Sequence, residues 1–426
     1  MSSNLIQRMS AAREQSDKLF KLIRRDARYE RPIPERHRII FYLGHLEAFD
    51  WNILQPRLAG TKIFDPEFDR LFAFGIDPVD GGLPSDRRTD WPSEKQVQRY
   101  NTRVRAALDE AIQSGEWSGD EPGSQLLNVA IEHRLMHLET LSYMLHQLGI
   151  DQKLRAGRTA APSAAGFEPA MVEIPAGRAT LGANAGEFGW DNEFEAQSAF
   201  VNAFTVDRFK VSNGQFLEFL RAGGYRDRAL WTDEGWNWKE HHGIENPIFW
   251  RANHDAYLLR TMFDEIPLPL EWPVYVSHAE ASAYAAWAGK RLPTEAEWHR
   301  AAYGTLDGEE RPFPWGNEAP TAARGYFDLR SWDPAPVNAF PCARSAFGVE
   351  GMLANGWEWT CSLFEPLPGF RPFSFYPGYS ANFFDGKHYV MKGGSPRTEK
   401  CMLRRSFRNW FQPHYQYVYA GFRCVK

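Results

Sequence analysis

Cysteine is scarce in this 426-residue chain, with four residues: Cys342, Cys361, Cys401 and Cys424. All lie in the C-terminal half, and none forms a Cys-x-x-Cys pair. Four in so long a chain make too thin a disulfide framework to define a secreted scaffold, so a reducing cytoplasm is the expected setting. Long apolar runs are also missing. No stretch approaches the ~20 residues that span a bilayer. The start, MSSNLIQRMSAAREQ, is polar and charged, unlike a signal peptide. A membrane partner is therefore not expected. Excess charge of one sign is absent too, since 49 Lys and Arg face 54 Asp and Glu for a net −5. Without a broad basic field, nucleic acid is not an expected partner. There is no low-complexity tract and no internal repeat.

What remains is the composition of a globular protein, 43% hydrophobic and 24% charged. The length exceeds one ordinary core and suggests two domains of roughly 150–250 residues. The first, 1–150, reads as helices. Apolar residues recur at helical spacing over 4–25. After a break at Arg31–Pro34, Pro34 suits a first turn, and a second helix is expected to run to about Gln55. A Pro- and Gly-rich loop occupies 75–93. Third and fourth helices are expected at about 94–115 and 124–148. Short connections between them suggest an up-down four-helix bundle. Residues 151–168 lack periodicity and read as a linker. From 169 to 426, short β-like runs alternate with Gly, Pro and Trp, with helices expected near 212–222 and 278–289. The fold class is α+β multidomain. The 16 Trp, 16 Tyr and 30 Phe fall mostly in the C-terminal two thirds, where they can build core or line a ligand site.

The fourth helix carries IEHRLMHLETL. His133 and His137 are four apart and share a face with Leu126, Ala130, Leu141, Met144 and Leu148. His45 on the second helix lies one turn from Phe41 and from Phe49, so it too points inward. Imidazoles in apolar stripes need partners, and one metal ion would satisfy all three. Ordinary core histidines are the alternative. Glu47, Asp50 and Glu139 are candidates to fix the imidazole tautomers, or else solvated face charges. Three imidazoles suit Zn²⁺ or Fe(II) with open positions, and the ligands alone do not choose.

The C-terminal strings FTVDRFKVSNGQFLEFL, WPVYVSHAEASAYAAWAGKRLPTEAEWHRAAYG, FPWGN, NGWEWT, FFDGKHYVMKGGSPR and RRSFRNWF…AGFRC resemble the formylglycine-generating-enzyme domain, a C-type-lectin-like fold. With a DinB-like four-helix bundle carrying His-x-x-x-His before it, the chain resembles the ergothioneine-type, EgtB-like sulfoxide synthases, which are mononuclear non-haem Fe(II) enzymes. The resemblance implies that His45, His133 and His137 form a facial iron site where bundle and second domain meet. It implies O₂, hercynine and a chalcogen donor as small-molecule partners.

The resemblance also implies roles in the second domain. Tyr376, Tyr379 and Ser380 match a Tyr-x-x-Tyr-Ser string, with Tyr376 the proton donor and Tyr379 a contact to the betaine substrate. Asn409 would bond its carboxylate, and Trp410 would offer a face to its trimethylammonium group. Outside the resemblance, the 75–93 loop of the first domain offers Arg87 and Arg88, a pair suited to a carboxylate of the second substrate or else a solvated charge pair. The departures are local. Arg134 and Met136 replace Glu and Gln of the family's His-Glu-x-Gln-His, and Phe411 stands where an acid faces the ammonium group. The altered pocket is similar to that of the selenoneine synthase, SenA-like branch, which uses a selenosugar. A zinc-dependent DinB-type thiol transferase and a lectin-like sugar-binding module are the rival readings. Nothing in the sequence sets the oligomeric state.

Overall fold

The computed structural model describes residues 2–58, 64–74, 83–113, 121–157 and 166–426. The chain divides into two compact units, Met1–Ala156 and Gly157–Lys426. Part of the expected linker, 158–165, lies outside the described residues, as does 75–82 of the 75–93 loop.

The first unit holds α1 (Ser2–Lys21), α2 (Ile39–Leu54), α3 (Pro66–Phe74), α4 (Glu94–Gln113) and α5 (Glu121–Gln147). α1 lies along α5, while α3, α4 and α5 all pack on α2. The middle position of α2 follows from its sequence. IIFYLGHLEAFDWNIL is apolar on every side, so the helix has no face to give to water, and all but two of its residues are buried. α4 is amphipathic instead and buries Val97, Tyr100, Val104, Leu108, Ala111 and Ile112. The expectation that α2 begins at Pro34 is corrected. Pro32 and Pro34 hold their predecessors out of the helical region, a turn closes from Arg36 N to Ile33 O, and Arg38 is extended at ψ 153°. The helix starts at Ile39. α3 was not anticipated from the sequence.

The second unit contains four helices and eleven strands among its described residues. Antiparallel ribbons pair β1 (Met171–Ile174) with β4 (Phe204–Asp207), and β2 (Gly177–Leu181) with β3 (Gln197–Val201). β5 (Trp250–Asn253), β6 (Ala256–Arg260) and β7 (Glu265–Pro267) form an antiparallel meander. In the main sheet, β8 (Gly356–Leu363) and β10 (Asn409–Phe411) flank β9 (Tyr389–Gly394) in antiparallel pairing. β11 (Ala420–Gly421) runs parallel to β8 on its far side. The irregular α+β reading of this region matches what is seen.

α6 (Asn213–Arg221), α8 (His278–Trp287) and α9 (Glu295–Tyr303) each start with a reciprocal capping box: Ser212 with Gln215, Ser277 with Glu280, and Thr294 with Glu297. α7 (Asp233–His242) is capped by Thr232 and ends at Gly243, whose φ of 61° a side chain would disfavour. Only α6 and α8 were expected. α9 was missed although its Thr-Glu-Ala-Glu start is a readable cap. The core gathers around Trp298, Tyr303, Phe327, Met352 and Val425. On β8, the buried Glu358 takes a two-pronged bond from Arg423 at 2.6 and 2.8 Å and another from Lys210 at 2.7 Å, so its charge is fully compensated. No helix among the described residues is long and apolar enough to cross a membrane.

Candidate metal centre

α5 places His133 and His137 on adjacent turns, and α2 brings His45 to meet them. His45 Nε2 is 3.2 Å from His137 Nε2, which is 3.2 Å from His133 Nε2. His45 and His133 are buried, and His137 is half-buried. Each ring plane is held by packing. Phe41 stacks on His45 at 4.7 Å, Phe49 stacks on His133 at 3.4 Å, and Tyr42 leans on His137 at 5.6 Å.

The tautomer of His45 is set by a group the sequence did not reveal. Its Nδ1 lies 2.6 Å from the Phe72 carbonyl on α3, so the proton sits on Nδ1 and Nε2 presents a lone pair. Gly44 makes this approach feasible, because a Cβ there would lie 2.5 Å from the Phe72 ring.

These residues suit a metal ion. A proton on His137 Nε2 can satisfy only one of its two ring-nitrogen neighbours, whereas a cation among them satisfies all three. Two of the three nitrogen separations, at 3.2 Å, fall within the roughly 3.0–3.4 Å of ligands ~2.1 Å from one ion, and all three atoms lie within 4.8 Å of one another. Burial also keeps the ligands neutral. It pushes His45 down to about 4 against the pull of the Phe72 carbonyl. Burial also drives His133 and His137 well below the ordinary value, helped by the neighbouring imidazoles. Among the described residues, this is the one cluster of three or more such side chains placed to hold an ion.

Stability should follow from this. Unfolded histidines take protons near pH 6.5, and His45 in the fold only near 4, so the unfolded state binds more protons between these values. Metal-stripped protein should therefore lose stability as pH falls from about 6.5 to 4, on the order of 3 kcal/mol from His45. Thermal unfolding of stripped wild type and His45→Asn across this range checks it. Parallel pH dependences in the two proteins would contradict the assignment.

Glu47 and Asp50 do not serve the imidazoles, which corrects the expectation for them. Both pair with Arg134, which is fully buried beside His133. Arg134 Nη2 donates to Glu47 Oε2 at 2.8 Å, Asp50 Oδ2 at 2.6 Å and the Leu46 carbonyl at 3.1 Å. Its Nη1 reaches Ser16 Oγ and Glu47 Oε1, both at 3.1 Å. Arg105 adds a fork to Asp17, at 2.8 Å on both arms, and reaches Glu47 at 2.6 Å. Four helices are thus tied together immediately behind the histidines. Burial opposes the charge on Glu47, yet Arg134 and Arg105 hold it down at about 2. For Asp50, burial outweighs Arg134 and the carboxyl is raised. The signal was available: two acids three apart on an otherwise apolar helix require a buried cation, and Arg134 follows His133 directly on α5. Glu139 is buried two residues beyond His137, and Met136 is half-buried beside it.

Arg87 and Arg88 are both exposed. Arg87 lies 3.6 Å from Asp90, and the Arg88 guanidinium sits 4.8 Å over the Tyr29 ring. The buried charge in this loop is Asp86, which receives Arg31, Arg38 and the Trp91 indole N–H.

Within the second unit, Tyr376, Tyr379 and Trp410 do come together. Tyr379 stacks on Trp190 at 4.0 Å, and its ring lies 5.5 Å from both Tyr376 and Trp410. Trp410 already spends one face on Phe364, at 4.1 Å and 7°. Asn409 Oδ1 accepts the Trp410 backbone N–H at 2.9 Å, which makes its Nδ2 the end able to meet a carboxylate. Phe411 stacks on Tyr415 at 4.8 Å.

A trio of converging, uncharged imidazoles, two of them buried, on a helical unit gives the chain the character of a candidate metal-site protein. The particular family follows from comparison. Residues 158–426 match the sulfatase-modifying factor enzyme 1-like domain. The chain is 38% identical to hercynine oxygenase of Mycobacterium tuberculosis over 78% of each chain, and 34% identical to hercynine oxygenase of Mycolicibacterium smegmatis over 90% of this chain and 89% of that one. It is 28% identical to ergothioneine biosynthesis protein 1 of Schizosaccharomyces pombe over 95% of this chain and 54% of that protein. The chain belongs to the hercynine oxygenase family and is an oxidative enzyme of that type.

Proposed function

We propose that this chain is an O₂-dependent, mononuclear non-haem Fe(II) enzyme that joins selenium or sulfur to the imidazole C2 carbon of hercynine. The observation that carries the reading is the convergence of three neutral imidazole nitrogens, at two separations of 3.2 Å, in a member of this family. His45, His133 and His137 would hold the iron, which when bound supplies the activation of O₂. The chain's own residues do the rest. Stacked Phe41 and Phe49 keep the ligand rings from turning. In the second unit Tyr376 holds a phenolic proton, since burial and then Asp191 raise its pKa. Asn409 Nδ2 is suited to the hercynine carboxylate. Trp410, with Tyr379 edge-on at 5.5 Å and Phe383 tilted at 5.6 Å, is suited to its trimethylammonium group.

The donor is a selenosugar in the reading we favour. Support comes from the positions that depart from the usual pattern: Arg134 locked into a buried ion cluster, Met136 beside His137, and Phe411 stacked on Tyr415 in place of an acid. A thiol donor, γ-glutamylcysteine or cysteine, is the second reading, favoured by relatives named hercynine oxygenase. Arg87 and Arg88, exposed on their loop, are available to a donor carboxylate.

Mass spectrometry of aerobic reactions containing Fe(II), hercynine and the three donors in competition tests this. The expected product carries selenium on the imidazole. A sulfoxide alone would select the thiol reading. Stoichiometric zinc with O₂-independent turnover would sink both.

A further inference from the structure

The segment that carries Tyr376 and Tyr379 has no regular secondary structure of its own. It advances by turns, from Tyr376 N to Phe373 O at 3.1 Å, Tyr379 N to Tyr376 O at 3.2 Å, and Phe383 N to Ser380 O at 2.9 Å. Such a chain holds two phenols in place only if something grips it from outside. That grip comes from a buried tripeptide about 190 residues earlier in the sequence, Trp190-Asp191-Asn192. Ser380 Oγ donates to Asp191 Oδ1, and Asn192 Nδ2 donates to Ser380 Oγ at 3.0 Å. The Phe373 backbone N–H also points at the Asp191 carboxylate. One carboxylate therefore binds both ends of the turn series, at Phe373 and at Ser380. Trp190 closes the middle by stacking on Tyr379 at 4.0 Å.

We propose that Asp191 is a positioning residue that fixes the Tyr376–Ser380 segment, and with it both phenols, through Ser380 and the Phe373 amide. Asp191 is 1% exposed, so it acts through the segment and not by touching substrate. Its charge also faces Tyr376 and, after burial, is what favours the protonated phenol. Ser380 is fully buried, and its hydroxyl is the pivot between the Asn192 amide, from which it accepts, and the Asp191 carboxylate, to which it donates. Displacing a phenol that must meet a reacting atom by about 1 Å costs roughly 100-fold in rate. The catalytic consequence rests on the proton-donor reading of Tyr376, but the positional one does not.

The experiment uses full-length protein labelled with 3-fluorotyrosine and read by fluorine NMR, with the two resonances assigned by Tyr376→Phe and Tyr379→Phe. Asp191→Ala is expected to move both resonances while the other tyrosines stay in place. Ser380→Ala is expected to move Tyr379 most, and it carries the test if Asp191→Ala fails to fold. Asp191→Asn keeps an acceptor but loses the charge. It should leave both resonances near their wild-type positions and shift the Tyr376 titration to lower pH. Wild-type resonances in both Asp191→Ala and Ser380→Ala would overturn the proposal.

Turnover of hercynine with each donor separates the two readings. If kcat falls roughly 100-fold in both Asp191→Ala and Tyr376→Phe, with iron content unchanged, both stand. If Tyr376→Phe is fully active while the resonances of Asp191→Ala have moved, the proton-donor role fails and the positioning stands. If Tyr376→Phe is inactive and the Asp191 variants match wild type in rate and spectrum, the positioning fails.

Discussion

His133→Ala should abolish both metal binding and turnover while leaving the metal-free protein folded. His133 is the first of the two α5 ligands, its Nε2 3.2 Å from that of His137, and its ring is stacked on Phe49. Losing it leaves two ligands on different helices and opens a water-accessible position. Loss of a group that merely orients a ligand costs roughly 10–100-fold in metal affinity. Loss of the ligand itself should exceed that, taking turnover to the detection limit. The metal-free fold should change little, because the imidazole it loses is neutral and not part of the ion cluster. Two measurements check this: iron content after anaerobic reconstitution, and the rise in melting temperature on adding Fe(II), which should be present in wild type and absent in the variant. Full iron content with full turnover would refute the ligand assignment.

Arg134→Met should cause a large loss of stability, about 3–5 kcal/mol near neutral pH. The guanidinium is fully buried and is the shared partner of Glu47 and Asp50. Its removal leaves Asp50 buried without its cation and Glu47 with Arg105 alone. The cost lies in the abandoned carboxylates, so replacing them as well should return much of it. The triple variant Arg134→Met, Glu47→Leu, Asp50→Leu is expected to melt closer to wild type than the single variant does. The penalty of the single variant should also shrink toward acid pH, where the raised Asp50 carboxyl takes up a proton. Urea unfolding at pH 7 and pH 5 reads both effects. A single variant as stable as wild type at pH 7 would show that the ion cluster is not what joins α1, α2, α4 and α5.

The helical character of the first unit and the inward face of the histidines were legible because both depend on local spacing. Leu126, Ala130, His133, Leu141, Met144 and Leu148 are buried as their periodicity requires. The capping boxes at Ser212 and Ser277 were equally local. What periodicity could not show was pairing across distance. Glu47 and Asp50 lie close to His45 in sequence, yet side chains three and four apart on a helix reach whatever packs on their own face, and here that is Arg134 of α5. The start of α2 was misplaced because a proline that suits a first helical turn also holds its predecessor extended, and with Pro32 and Pro34 together the second effect prevailed.

The three histidines, their helical placement and the family character of the second unit were determined by the sequence alone, since each is a matter of residue type at short spacing or of continuous motif. Three things were decided only by the tertiary structure. The Phe72 carbonyl sets the His45 tautomer, Arg134 ties the ligand helices together, and Asp191 grips a segment about 190 residues away. The reason is common to all three. A backbone carbonyl carries no sequence signal, and a buried charge or hydroxyl finds its partner by packing, which local spacing does not encode.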